Sequence, residues 1–263
     1  MHNVGVGTHS EASIREAFHV LFLERLFAIS DPAQYALKGG VNLRLFFASP
    51  RYSEDLDLDV LAGAAATLRK NGFKIIEDKS FARALQAFGV AELRVNDPTK
   101  AKQTGTTQRF RVRLVTSAGI ELPTKVEFSR RPAVDAYTVA TETVPGERVR
   151  PYGRLGFRCP HYDGRSAALQ KARALVGRET PQCRDVFDLR ILALGGYATR
   201  SLFIASMSPE ERAAGRAVVE SLEHRDYVGQ VVEFLEDDAR SRFGDAAAWD
   251  EMRLAVLELL ADG

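Results

Sequence analysis

Three aspartates, Asp55, Asp57 and Asp59, alternate with Leu56, Leu58 and Val60 in the segment that begins at Ser53-Glu54. On an extended strand successive side chains point to opposite faces, so the three acids share one face, with same-side Cα atoms about 6.6 Å apart. That spacing lets neighbouring carboxylates converge on a pair of divalent ions about 3.5–4 Å apart, an arrangement that supports in-line displacement at phosphorus. Like charges stacked on a strand repel, and a bound cation would relieve them. A solvated edge strand with an acidic outer face has the same pattern. On this segment alone both readings stand.

Upstream lies Lys38-Gly39-Gly40, between a short strand at 35–38 and a helix that begins in VNLRLFFA. Glycines at such a turn let backbone N–H groups approach a phosphate, and the N-terminus of the helix favours an anion. Lys38 would bring a positive charge to the same phosphates, or is a surface lysine. Downstream, in Thr124-Lys125-Val126-Glu127-Phe128-Ser129, Val126 and Phe128 alternate with Lys125 and Glu127. If this strand neighbours the aspartate strand, Glu127 completes a carboxylate triad; otherwise it is an exposed strand residue.

Two further groups could bear charge on a ligand. Lys171, Ala174 and Arg178 follow i, i+3, i+7 spacing, and Arg184, Asp185 and Asp188 follow on the next helix, with 185 and 188 sharing a face. These residues form an inter-helix ion-pair network, or they place Lys171 on a triphosphate and Asp185 near the attacking group or nucleobase. Arg109, Arg111 and Arg113 project from one strand face, and arginines recur at 130, 131, 148, 150, 154, 158 and 165. Phosphate-binding tracks have this form, and so do solvated sheet faces.

The elements that must position these groups read as follows. A capping box at Thr8-His9-Ser10-Glu11 opens a long amphipathic helix ending near Asp31-Pro32. Residues 62–88 are helical, with Asn71-Gly72 as a break. Strands follow at 90–95, 109–116 and 123–129, with an edge strand near 136–144. His161, Tyr162 and Asp163 fall in a loop. From Ser166 onward the pattern is helical. The expected fold is α+β, a mixed sheet flanked by helices in residues 1–165, with an all-helical C-terminal domain at 166–263 that contributes to an active-site cleft.

Composition bounds the partners. The 263 residues hold 36 Lys and Arg against 35 Asp and Glu, so a nucleic acid would have to be held by a local basic patch. Cys159 and Cys183 form neither a CxxC pair nor a Cys/His cluster, which fits two reduced thiols. Neither a basic, apolar leader nor a membrane-length apolar run is present, so the expectation is a cytoplasmic protein without a membrane partner. The chain has no GxSxG, and its Gly-Gly turn lacks the GK[ST] of a P-loop.

LKGGVNLRLFF…RYSEDLDLDV resembles the AbiEii/AbiGii family of nucleotidyltransferase toxins, the MenT-like toxins of type IV toxin–antitoxin systems, whose pattern is KGG-x-x-L-R-L…R-x-S-x-D-L-D. KVEFSR resembles that family's third-acid strand, and QKARALVGRETPQCRDVFDL its helical signature. The matches span residues 35 to about 192 in the family's order.

The resemblance implies a DNA-polymerase-β-like nucleotidyltransferase fold, two Mg²⁺ ions, an NTP substrate and a cognate antitoxin. It further implies transfer of NMP to an RNA acceptor, the 3′ end of tRNA, which blocks translation. Position by position it assigns Gly39 and Gly40 to the phosphate turn, Arg51 and Ser53 to the family arginine and serine, and Asp55 and Asp57 to the metal pair. Glu127 falls on the third acid, Lys171 on the signature lysine, and Asp185 and Asp188 on the closing acids. Catalysis would thus involve Asp55, Asp57, Glu127, Lys171 and Asp185, with nucleotide bound by Lys38, Gly39, Gly40, Ser53 and Lys171.

Two departures stand out. Asp59 is an extra acid, so the pair could be displaced by two residues, and Ser166-Ala167-Ala168 replaces an acid expected before Lys171. The alternatives are an enzyme that transfers NMP to a protein, and a nucleotide-binding module without catalysis.

Overall fold

Two-residue alternation builds the sheet. In a computed structural model describing residues 9–95, 104–130 and 137–262, the strands are β1 (Tyr35–Lys38), β2 (Asp55–Val60), β3 (Val90–Val95), β4 (Thr107–Thr116), β5 (Glu121–Ser129), β6 (Val139–Thr143) and β7 (Arg158–Tyr162). Their order is β3-β4-β5-β2-β1-β7-β6. β4 runs antiparallel to β3 and β5, whereas β5 is parallel to β2 and β7 to β1, so the sheet is mixed. The edge strand expected near 136–144 is β6, at one end of this order.

The helices are α1 (Glu11–Ile29), α2 (Gly39–Phe46), α3 (Ala65–Ile76), α4 (Lys79–Gln86), α5 (Gly146–Val149), α6 (Gly164–Gly177), α7 (Cys183–Leu194), α8 (Arg200–Ser206), α9 (Pro209–Ser221), α10 (His224–Gln230), α11 (Asp237–Phe243) and α12 (Ala246–Leu259).

The chain forms two compact units. The first comprises Met1–Ala36, Ser53–Arg131 and Gly146–Cys159, and the second Leu37–Tyr52, Pro132–Pro145 and Pro160–Gly263.

The first unit is held by aromatic side chains that the strand and helix periods aim inward. Phe18 of α1 meets Phe81 of α4 edge-on at 5.7 Å between ring centroids. Phe128 of β5 lies within 6.5 Å of Phe22, Tyr35 and Phe110. These rings are almost wholly buried, and their edge-to-face and tilted packing adds to the gain from area burial alone. The second unit is a helical core in which Tyr227 stacks on Trp249 at 4.6 Å and Phe187 meets Phe243 at 5.6 Å. Leu175, Val219 and Val256 close it from α6, α9 and α12.

Several local expectations change. Thr8 lies outside the described residues, as do Arg131 and residue 136. The N-cap of α1 is Ser10, whose Oγ accepts the N–H of Ser13. The helix does not break at Asn71-Gly72: α3 runs through it, and the break comes at Asp78, which caps α4 through the N–H groups of Ser80 and Phe81. Gly72 is there for closeness rather than flexibility, because a Cβ at this position would stand 2.4 Å from the Phe110 ring. His161 and Tyr162 belong to β7 rather than a loop, and Asp163 caps α6.

Gly72→Ala should therefore destabilise the protein by about 1–3 kcal/mol, the usual range for overpacking a filled core. Urea unfolding followed by circular dichroism measures this, and an unchanged midpoint would show that the Phe110 ring can yield.

Candidate active site

In the first unit, the parallel pairing of β2 with β5 sets Asp55 opposite Lys125 and Asp57 opposite Glu127. The apolar partners Leu56, Leu58, Val126 and Phe128 are buried, which turns Asp55, Asp57, Lys125 and Glu127 onto the other face, where they are half-buried. Asp55, Asp57 and Glu127 are thereby brought onto one face of two adjacent strands. Asp59 is nearly fully buried and paired in register with Ser129, so the extra acid sits at the covered end of the row.

Lys125 of β5 and Arg109 of β4 contact two of these acids. Lys125 Nζ donates to Asp55 Oδ2 at 2.7 Å. Arg109 of β4 donates to Glu127 Oε2 at 2.6 Å through Nε and 2.5 Å through its terminal nitrogen, while Ser129 Oγ donates to Oε1 at 3.3 Å. Burial alone would push the Glu127 carboxyl up, but the Arg109 hydrogen bond and charge, with Lys125, hold it below the usual carboxylate range. Sequence reasoning missed Lys125 and Arg109 as partners of the acids, because only strand pairing joins residues 70 and 18 positions apart.

The entry to β2 is fixed from behind. Thr124 Oγ1 donates to the Glu54 carbonyl at 2.7 Å, which leaves it to accept the Nε2–H of His19 at 2.9 Å. Burial first, and then the nearby Arg15 charge, lower the His19 pKa to about 3, so the ring stays neutral and keeps this donor arrangement. Ser53 Oγ donates to the Asp55 carbonyl, so the family serine braces the backbone of the strand.

The second unit holds the Gly-Gly turn and the helical signature. α2 begins on the glycines themselves, and Gly39 has φ of 71°, a left-handed conformation that a side chain would strain. Lys38 is the N-cap residue. Asn42 Nδ2 donates to the Tyr162 carbonyl, and His161 stacks on Phe46 at 3.6 Å, which binds α2 to β7.

Asp185 and Asp188 of α7 are completely buried. Lys171 of α6 reaches both, at 3.3 Å and 2.6 Å. Arg51 grips Asp188 with Nε at 3.3 Å and its terminal nitrogen at 3.1 Å from both oxygens, and Arg178 holds Asp185 at 2.7 Å. Arg178 is the C-cap of α6, in an extended conformation, and not a further helical residue. Burial pushes the Asp188 carboxyl up, but the charges of Arg51 and Lys171 outweigh it and leave its pKa lowered. Three cations surround two carboxylates.

Among the described residues, no three His, Cys, Asp or Glu side chains converge as a ready-made metal cage. Magnesium does not require one, since it is commonly bound by one or two carboxylates and completes its shell with water and substrate phosphates. Asp55 and Asp57 supply anionic oxygens on one face, which fits such an ion. Among the described residues, no helix is long and apolar enough to cross a membrane.

The mixed seven-stranded sheet with its N-terminal helices and helical C-terminal region has the fold of solved nucleotidyltransferases. Residues 21–262 match the family described as nucleotidyl transferase AbiEii toxin, type IV TA system, and the chain belongs to this family. JHP933 from Helicobacter pylori has a similar fold, with TM-score 0.57 and 18% identity over 97% of this chain and 92% of that one. MenT4, a nucleotidyltransferase toxin from Mycobacterium tuberculosis H37Rv, gives TM-score 0.54 and 20% identity over 96% and 85%. No curated protein matches the chain.

Asp188→Asn should cost about 3–5 kcal/mol, the usual result of removing one partner from a buried ion pair. Because the folded pKa of Asp188 is depressed, its contribution is present above the unfolded carboxyl pKa of about 3.9 and is lost as pH falls through the folded value. Thermal melts at stepped pH should show the difference from wild type shrinking below about pH 4. A gap that persists there would count against an ionic origin.

Proposed function

We propose that the protein transfers NMP from an NTP to the 3′ end of an RNA, with tRNA as the acceptor, and that Asp55 and Asp57 hold the required Mg²⁺. The observation that carries this reading is the pairing of Asp57 with Glu127 beside Asp55 on one sheet face, in a chain of a nucleotidyltransferase family. As a toxin of a type IV system it has an antitoxin counterpart, and its substrates would meet it in the cytoplasm.

When bound, Mg²⁺ neutralises phosphate charge and lowers the pKa of an incoming hydroxyl. Asp55 and Asp57 hold it and keep the strand's acidic face intact. Glu127, with its pKa held down by Arg109, is better suited to a ligand than to a proton acceptor, because an efficient general base needs a pKa near the working pH. The N–H groups at Gly39-Gly40 bind phosphate oxygens, helped by Lys38. Lys171 adds attraction through the surplus positive charge of its cluster, and Asp185 orients it. Ser53 acts by bracing the strand.

For the acceptor, the Arg109/Arg111/Arg113 row is partly neutralised: Arg109 is tied to Glu127, and Arg113 lies 3.5 Å from Glu121. Arg111 and Arg113 are exposed and stand on the face that carries the acids. They are the residues proposed to meet the sugar-phosphate backbone.

Asp57→Ala should abolish transfer of labelled NTP to total tRNA without unfolding the protein, because the core side of β2 is Leu56 and Leu58. Transfer near the wild-type rate would disprove the metal assignment. Asp59→Asn should be far milder than Asp55→Asn, and the reverse order would move the pair by two residues.

Labelling of tRNA should also fall steeply with salt, as expected when binding releases counterions. The double substitution Arg111→Glu and Arg113→Glu should impair it while sparing NTP binding measured by calorimetry. Salt-insensitive labelling, or label on protein alone, would rule out tRNA and favour protein modification.

A further inference from the structure

The counter-charges of the acidic face are arranged unequally. Strand pairing forms two rows across the face, Arg111–Lys125–Asp55 and Arg109–Glu127–Asp57. In the second row Arg109 applies a planar fork to one oxygen of Glu127 while Ser129 holds the other, which fixes the carboxylate at both ends. In the first row a single ammonium reaches Asp55 Oδ2 at 2.7 Å. A lysine is a compact charge on a flexible four-carbon stem, whereas an arginine fork is pre-organised for its carboxylate. Lys125 and Asp55 keep side-chain exposures of 32% and 28%, against 25% and 17% for Arg109 and Glu127, so the first pair is also the more open to water.

We propose that Lys125 is a displaceable counter-cation: it holds Asp55 while no divalent ion is bound and gives up Oδ2 to the ion that enters, while Arg109 stays on Glu127. This rests on the reading that Asp55 and Asp57 form the metal-binding pair. Two cations cannot share one carboxylate oxygen at contact distance without strong repulsion, so at Oδ2 the ammonium and the metal are alternatives. Lys125 therefore raises the divalent concentration at which the site fills. The freed ammonium remains on the same face, next to Arg111, where it adds to the positive charge available to a phosphate.

The test is a calorimetric titration of Mn²⁺ into the full-length protein without nucleotide, using wild type, Lys125→Met, Lys125→Arg and Asp57→Asn. Lys125→Met should bind Mn²⁺ at least about fivefold tighter, and Lys125→Arg should bind it more weakly because a fork is harder to displace. Unchanged or weakened affinity in Lys125→Met, with wild-type binding that depends on Asp57, overturns the exchange and leaves the metal site standing. Absence of Mn²⁺ binding in wild type, or binding indifferent to Asp57→Asn, removes the metal site and the exchange with it. Should Lys125→Met fail to fold by thermal melt, Lys125→Gln, which keeps a hydrogen-bond donor without charge, carries the same expectation.

Discussion

Carboxylates packed on one strand face repel each other, and the arrangement of the first unit follows from the need to contain that repulsion. β2 has an acid at every second position, so the adjoining strand cannot be purely acidic or purely apolar. β5 meets it with a lysine opposite Asp55 and a third acid opposite Asp57, and β4 supplies the arginine that this third acid requires. The parallel register of β2 and β5 is what makes these rows coincide. A shift by one residue would turn Lys125 and Glu127 into the core and bring Val126 and Phe128 to the surface. The aromatic core under the sheet and the His19–Thr124–Glu54 relay both resist that shift, one through shape and the other through hydrogen bonds.

The second unit solves a related problem in the opposite sense. Its two signature aspartates are removed from water altogether, where an unpaired carboxylate would be severely penalised. Three basic side chains enclose them, Arg51 from before the carboxylate strand and Lys171 and Arg178 from α6 and its C-cap. Acids half-exposed beside cations can exchange partners, whereas acids enclosed by cations cannot do so cheaply. The exposed set suits ligands that come and go, and the enclosed set suits a fixed scaffold with one positive charge to spare.

Much of this was legible in the sequence where a periodic pattern met a single-sided environment. The alternation in DLDLDV defined β2 and the face of its acids, and CRDVFDLRILAL coincides with α7. The legibility failed where contacts distant in sequence decide. The strand Arg-Cys-Pro-His-Tyr is buried along nearly its whole length and flanked on both sides in the sheet, so it lacks the alternation that marks a one-sided strand. Gly72 looked like a helix break because its reason for being glycine, the Phe110 ring, lies on a strand 38 residues away. The acids of the candidate site could be named, but their partners could not: nothing local links Lys125 to Asp55 or Arg51 to Asp188.

That last pair bears on how the protein is made. Arg51 and Asp188 are separated by 137 positions, so a ribosome adding about 5–20 residues per second leaves the arginine without its aspartate for roughly 7–27 s. The second unit takes in chain both before and after the carboxylate strand, and its buried charges balance only once the later helices have emerged. A nascent or prematurely terminated chain that already displays Asp55 and Asp57 still lacks the scaffold around Lys171. Closure of the second unit's charge cluster therefore waits until α7, which carries Asp188, has been made.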